Sequence, residues 1–493
     1  MRASGILLPI ASLPSKYGIG CFSKNAYDFI DILKKAGQKY WQILPIGPTS
    51  FGDSPYQSFS TFAGNPYFID LDYFIKEGLL TKKECDSYDF GKDNRYIDYG
   101  KIYQSRFKLL KIAYERSNVV AQKGYTKFLD ENAYWLDDYA LYMALKDKFK
   151  GVSWNEWEED IKLRLPAALE RYQEELAETI GFYQYLQYIF TCQWNQLKKY
   201  ANDNGIQIIG DIPIYVAFDS ADTWANPKLF QFDEYETPIA VAGCPPDAFS
   251  ATGQLWGNPL YQWEYHKKHK FSWWIQRIKY SLTLYDVLRV DHFKGFDEYY
   301  SIPYGDTTAE NGEWKQGPGF EFFLEVKEQL GDVNIIAEDL GNLTDSVRKL
   351  LKQTGYPGMK VLQFAFDSRE ESDYLPHNYD KNSVVYTGTH DNDTIIGWYH
   401  SINKQDKDLS KAYLNNENTS LKEIHWDFIR LAHQSVSKLC IIPIQDYLGL
   451  DTEARINTPS TLGNNWMWRL SEEDITSDLI QRIHRITKLY GRK

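Results

Sequence analysis

The chain has 493 residues, long enough for one large α/β barrel with insertions or for two to three ordinary domains; 43% are hydrophobic and 25% charged, the balance of a globular protein. Lys and Arg total 55 against 67 Asp and Glu, a formal net charge of −12. That balance argues against a nucleic-acid or anionic-membrane partner, which would call for a basic patch, and leaves a neutral substrate as the better fit.

The first apolar run, residues 6–10, follows Arg2 and imitates the start of a leader peptide. It is short, contains Pro9 and passes into Ser12-Leu13-Pro14 without a cleavage site, so it reads as a buried strand. Seven comparable runs follow. They cover 40–44, 207–209 leading to Asp211, 287–290 leading to Asp291, 334–337 leading to Glu338, 359–364, 384–387 leading to His390, and 439–444 leading to Gln445. Each is short and apolar, and several are rich in Ile and Val, the pattern of parallel strands covered on both faces. Amphipathic segments at 25–36 and 183–202 fall between them. Eight strand–helix units predict an α/β fold, a (β/α)8 TIM barrel, whose catalytic residues sit at the C-terminal strand ends.

The spacing is uneven. The long gap between the second and third runs, with helical periodicity at 134–148 and 154–177, predicts a helical insertion over 66–200. A second insertion is expected over 213–286. Within it, 245–259 is dense in Gly, Pro and Asn and reads as an ordered loop overhanging the site. A third, helical, is expected over 395–435. No repeat or low-complexity linker separates these from the barrel, so 1–493 is expected to be one catalytic domain. The five cysteines are odd in number and scattered without C-x-x-C spacing, which argues against a disulfide framework or zinc ribbon and for a cytoplasmic setting. No stretch approaches the ~20 apolar residues of a membrane span. Aromatic residues reach 16%. Most should pack in the core, and some should line a surface where flat faces stack on a ligand.

Cleaving a glycosidic bond requires two carboxyl groups in opposite protonation states. Asp211, Asp291, Glu338 and Asp391 all stand at predicted strand ends. Arg289 and Asp291, two apart on a strand, share a face, and the guanidinium favours an ionised Asp291, as a nucleophile requires. A structural Arg–Asp pair is the competing reading. Glu338, confined with other carboxylates, is suited to hold a proton; against this, Glu338-Asp339 can be a structural glutamate beside a helix N-cap. Asp391 and His390 can engage sugar hydroxyls, while Asp391-Asn392-Asp393 is weakly suggestive of a Ca²⁺ cluster. It is their joint placement that points to catalysis.

These motifs resemble the amylomaltase family, the 4-α-glucanotransferases or disproportionating enzymes of the α-amylase clan. The resemblance runs from Gly5 to about Arg469, through segments 5–15, 54–58, 210–214, 245–259, 289–292, 337–341, 386–394 and 457–469. It implies a barrel with inserted subdomains and no C-terminal β-sandwich. It also implies Asp291 as nucleophile, Glu338 as acid/base and Asp391 as the third, sugar-holding carboxylate. Arg289, His390 and Asp211 match supporting residues, and Tyr56 and Trp256 match aromatic positions near the glucan path. The loops 245–259, with Trp256 and Phe249, and 457–465, with Asn464, are candidates for orienting the acceptor and limiting attack by water. The implied reaction is retaining transfer of α-1,4-glucan segments, disproportionation with cyclisation within its scope, with the two carboxyls about 5–5.5 Å apart. Expected partners are α-1,4-glucans and maltooligosaccharides, with glucose or maltose as acceptor, and the expected assembly is a monomer or homodimer. The chemistry requires no cofactor or metal, and no phosphate-binding G-x-x-x-x-G-K-[ST] loop supports a nucleotide-sugar donor. The rival readings are a hydrolase of the same clan and a non-catalytic glucan-binding protein.

Overall fold

The computed structural model describes residues 2–50, 52–246, 250–341, 343–416 and 418–493. Twelve strands occur among them: β1 (Ala3–Leu7), β2 (Tyr40–Gln42), β3 (Gln207–Ile212), β4 (Ala240–Cys244), β5 (Gln254–Pro259), β6 (Val287–Val290), β7 (Glu298–Pro303), β8 (Glu313–Gln316), β9 (Ile335–Ala337), β10 (Gly358–Val361), β11 (Ser383–Tyr386) and β12 (Leu439–Pro443). Eight of them, β1-β2-β3-β6-β9-β10-β11-β12, close into a parallel barrel, with β12 pairing back onto β1. The fold is a (β/α)8 barrel.

Strand alternation divides the core in two. Leu7, Ile209, Ile336, Met359, Val361, Val384, Tyr386, Leu439 and Ile441 form a separate cluster that fills the barrel interior. Their outward neighbours, such as Leu288, Val290, Val385 and Cys440, join the main core under the helices. The helix Lys24–Lys35 shows how the outer layer forms. Its buried Ala26, Phe29, Ile30 and Leu33 recur at i, i+3, i+4 and i+7, one stripe of a 3.6-residue period.

Six strand ends differ from the apolar runs: β2 stops at Gln42, β3 runs on to Ile212, β11 stops at Tyr386, and three more overshoot as follows. Residues 6–10 overshoot, because β1 stops at Leu7 and Ile10–Ser12 forms a 3-10 turn after Pro9. Residues 359–364 overshoot likewise, with Leu362–Phe364 in a 3-10 turn. Ile444, read as the end of the last strand, instead opens the helix Ile444–Leu448 together with Gln445. In these last three cases apolar residues continue inward past the last ladder bond. The strand–helix alternation also lapses once, since residues 362–382 between β10 and β11 contain only two 3-10 turns.

The long connections carry structure of their own. Between β2 and β3 the helices Tyr99–Arg116, Lys123–Lys148, Pro166–Glu175 and Ala177–Asp203 follow one another. Residues 154–177 are broken rather than continuous, because Pro166 restarts a helix at its first turn. After β3, the stretch read as a loop contains β5, which pairs antiparallel with β4; β4 pairs with β7 and β7 with β8 in a sheet ordered β5-β4-β7-β8. Glycines obscured this strand. Gly243 is needed because a Cβ there would meet the Gln254 carbonyl oxygen at 2.1 Å.

Candidate active site

The acidic residues converge at the C-terminal end of the barrel. Asp211 on β3 and Arg289 on β6 are register partners on neighbouring parallel strands. Arg289 takes an inward barrel position between outward-facing Leu288 and Val290. Its Nη1 donates to Asp211 Oδ2 at 2.6 Å and to Asp291 Oδ1 at 3.0 Å. The Arg289 and Asp211 side chains are 4% and 0% exposed, whereas Asp291 keeps 26% of its side chain open to the cleft. Asp291 and Glu338 each follow the last residue of a strand by one position, and those residues, Val290 and Ala337, pair directly. The two carboxylates therefore stand side by side.

His292 fixes their relation. It leaves β6 in the left-handed region (φ 48°, ψ 51°), and its backbone N–H donates to Glu338 Oε2. The Phe293 N–H donates to the Glu338 carbonyl at 3.0 Å, and the Glu338 N–H to the Val290 carbonyl at 3.1 Å. Burial raises the carboxyls of both Asp291 and Glu338. The Arg289 guanidinium opposes that rise most directly in Asp291, which it hydrogen-bonds, and the charge of Asp291 pushes Glu338 further up. On balance both carboxyls stay raised, Glu338 more than Asp291, so Glu338 is the member of the pair better suited to keep a proton.

The other side of the cleft is aromatic. The Tyr56 hydroxyl donates to Asp211 Oδ2 at 2.7 Å, and its ring stacks on His390 at 5.1 Å between centroids and 13° between planes. Trp466 lies 5.9 Å from both rings. Burial lowers the pKa of His390, against the pull of the neighbouring Asp391. His390 Nε2 lies 3.3 Å from Asp391 Oδ2, and Asn457 Nδ2 donates to Asp391 Oδ1 at 2.7 Å. Trp256, on β5, meets the His292 ring edge-on at 4.9 Å and 89°.

The structure thus brings Asp211, Arg289, Asp291, Glu338, Asp391, His390, Tyr56 and Trp256 into one cleft. Asn464 lies in the exposed part of its loop, itself in the left-handed region (φ 58°), and does not hydrogen-bond these residues. Phe249 lies outside the described residues. Asp339 is no helix N-cap: its Oδ1 accepts the Met359 N–H at 2.6 Å, tying β9 to β10, while Thr344 precedes the next helix. The suspected cation cluster does not converge either. Asn392 accepts from Thr389, Asp393 from Thr452, and Asp391 from Asn457. Sequence reading missed His292 and Trp466, although the positions follow Asp291 and sit in the 457–469 segment; His292 acts through a backbone N–H, which no residue type announces, and Trp466 through a ring placed by a left-handed turn (φ 64°).

Paired carboxylates at barrel strand ends, one with a counter-ion and one prone to hold a proton, define a glycoside-bond-processing enzyme of the (β/α)8 class. A family model described as 4-alpha-glucanotransferase matches residues 8–476. Among curated relatives, the 4-alpha-glucanotransferase of Clostridium butyricum is 52% identical over 98% of this chain and 99% of its own length. That of Streptococcus pneumoniae is 49% identical over 100% and 97%. The solved amylomaltase of Streptococcus agalactiae, in complex with acarbose, superposes with a TM-score of 0.96 at 43% identity, covering 100% of both chains. The chain belongs to the 4-alpha-glucanotransferase family, and its activity is glucan transfer.

Proposed function

We propose that the chain moves α-1,4-glucan segments between maltooligosaccharides by retaining double displacement, with Asp291 as nucleophile and Glu338 as general acid and base. The observation that carries this reading is the His292 N–H held by Glu338. It fixes the Glu338 carboxyl to the backbone of the residue after Asp291, so the two are held beside one another and can serve the same bond. Glu338 protonates the glycosidic oxygen as Asp291 attacks the anomeric carbon. The leaving chain departs with the proton, and a glucosyl ester on Asp291 remains. Glu338, now ionised and stabilised by the His292 N–H, takes the proton of an acceptor 4-hydroxyl, whose oxygen displaces Asp291 and restores the original anomeric configuration.

Asp391 and His390 hold the donor sugar, and Tyr56 offers it a flat face. Arg289 favours the ionised form of Asp291 against the effect of burial, and Asp211 balances the charge of Arg289. Trp256 and the 457–465 loop, which includes Asn464, border the acceptor side and orient the attacking sugar ahead of water. Phe249 belongs to the same acceptor-side reading. Cys21, Cys85, Cys192 and Cys440 form no disulfide, which supports a reducing, cytoplasmic setting.

Incubation with maltotriose tests the reading. Glucose together with a ladder of longer chains is the expected product pattern, and glucose and maltose alone would make the enzyme a hydrolase. Asp291→Asn should abolish turnover; a rate equal to wild type would remove Asp291 from the nucleophile's role.

A further inference from the structure

Asp391 accepts the Asn457 amide on Oδ1 at 2.7 Å, and His390 Nε2 lies 3.3 Å from its Oδ2. With 44% of its side chain exposed, it would otherwise sample several rotamers at the cleft mouth. Asn457 itself has little freedom. Its backbone N–H donates to the His390 carbonyl at 3.1 Å. Arg455 then fastens both loops with one guanidinium. Its Nη2 donates to the Asp391 carbonyl and its Nε to the Asn457 carbonyl, each at 2.7 Å. Main-chain bonds therefore set the offset between Asp391 and Asn457, and the amide donor arrives already aimed.

We propose that Asn457 is a positioning residue acting through Asp391: it fixes the carboxylate's rotamer and joins the 457–465 loop to the donor-sugar site as one rigid unit. The proposal rests on the reading of Asp391 as the sugar-holding carboxylate. A carboxylate that holds a sugar near its distorted, reactive shape acts mostly in the transition state. Loss of its aim should therefore lower kcat more than it raises KM.

The test compares maltotriose transfer by wild type, Asn457→Ala, Asn457→Asp, Asp391→Asn and the Asn457→Ala/Asp391→Asn double variant, with thermal unfolding to confirm folding and Asn457→Ser in reserve should the alanine variant not fold. Asn457→Ala should lower kcat about 10–100-fold while KM changes less than about threefold. Asn457→Asp keeps the shape but replaces the donor with an acceptor, and should be at least as impaired. In the Asp391→Asn background, Asn457→Ala should cost no more than about twofold, because the group it aims is gone. Asn457→Asp at wild-type rate, or an undiminished Asn457→Ala loss in an otherwise impaired Asp391→Asn background, overturns the proposal alone. Asp391→Asn at wild-type kcat overturns the reading of Asp391, and the proposal with it.

Discussion

Asp211 and Arg289 meet at 2.6 Å across β3 and β6 with almost no solvent access, beside the apolar cluster that fills most of the barrel interior. The pair is buried charge held by mutual neutralisation, and Arg289 spends its remaining reach on Asp291.

Asp211→Asn should therefore strand a cation inside the barrel. Unfolding by urea should show a loss of about 3–5 kcal/mol, the range for breaking one partner of a buried ion pair. A loss below about 1 kcal/mol would mean that Asp291 alone balances Arg289.

Glu338 should make the folded state pH-sensitive. Burial, and then the Asp291 charge, raise it above its ordinary value near 4.3. Between that value and the raised one, the native chain holds a proton that the unfolded chain has released. Stability therefore falls as pH rises through this window. Glu338→Gln removes the penalty, so its advantage over wild type should grow from about pH 4.3 upward and level off once native Glu338 has ionised. Urea midpoints across the window check this, and a margin that does not change with pH would contradict the raised carboxyl.

The same substitution separates the two chemical steps. With glucan donors, Glu338→Gln should lower transfer by about 10²–10⁴-fold, the usual contribution of a positioned acid. A donor with a fluoride leaving group needs no proton, so formation of the glucosyl ester should stay close to wild type. Pre-steady-state release of fluoride measures it; equal losses with both donors would remove Glu338 as the acid.

Tyr56 offers a finer division. Tyr56→Phe keeps the stack on His390 and Trp466 but removes the donor to Asp211, and should cost about 1–2 kcal/mol of stability. Tyr56→Ala loses the stacking face as well, and should also raise KM for short donors. Kinetics and melting of the two variants, taken together, distinguish the hydroxyl from the ring.

The barrel and its carboxylates were legible because their signals are local. An Ile/Val run followed by an acid marks a strand end whatever surrounds it, and β6 matches residues 287–290 without a shift. The misses come from contacts that sequence neighbours do not record. Leu362 and Ile444 are apolar for the sake of the core, yet they lie beyond the ladder. β5 is strand only because β4 lies beside it. The partner of Asp339 is a backbone N–H 20 residues away, and that of Asp391 an amide 66 residues away. Residue type narrows what each can bond, but only the closed barrel decides which partner is present.

β1 pairs with β12 along its whole length, from Ala3↔Leu439 to Leu7↔Pro443. During synthesis, the ribosome releases the first strand long before its last partner exists. At about 5–20 residues per second, that interval is roughly 20–90 s. Throughout it β1 presents an open edge, the state in which strands recruit neighbouring chains. Recovery of active enzyme from a cell should therefore depend on chaperone capacity while the chain is being made, and stronger packing in the finished barrel would do little to raise it.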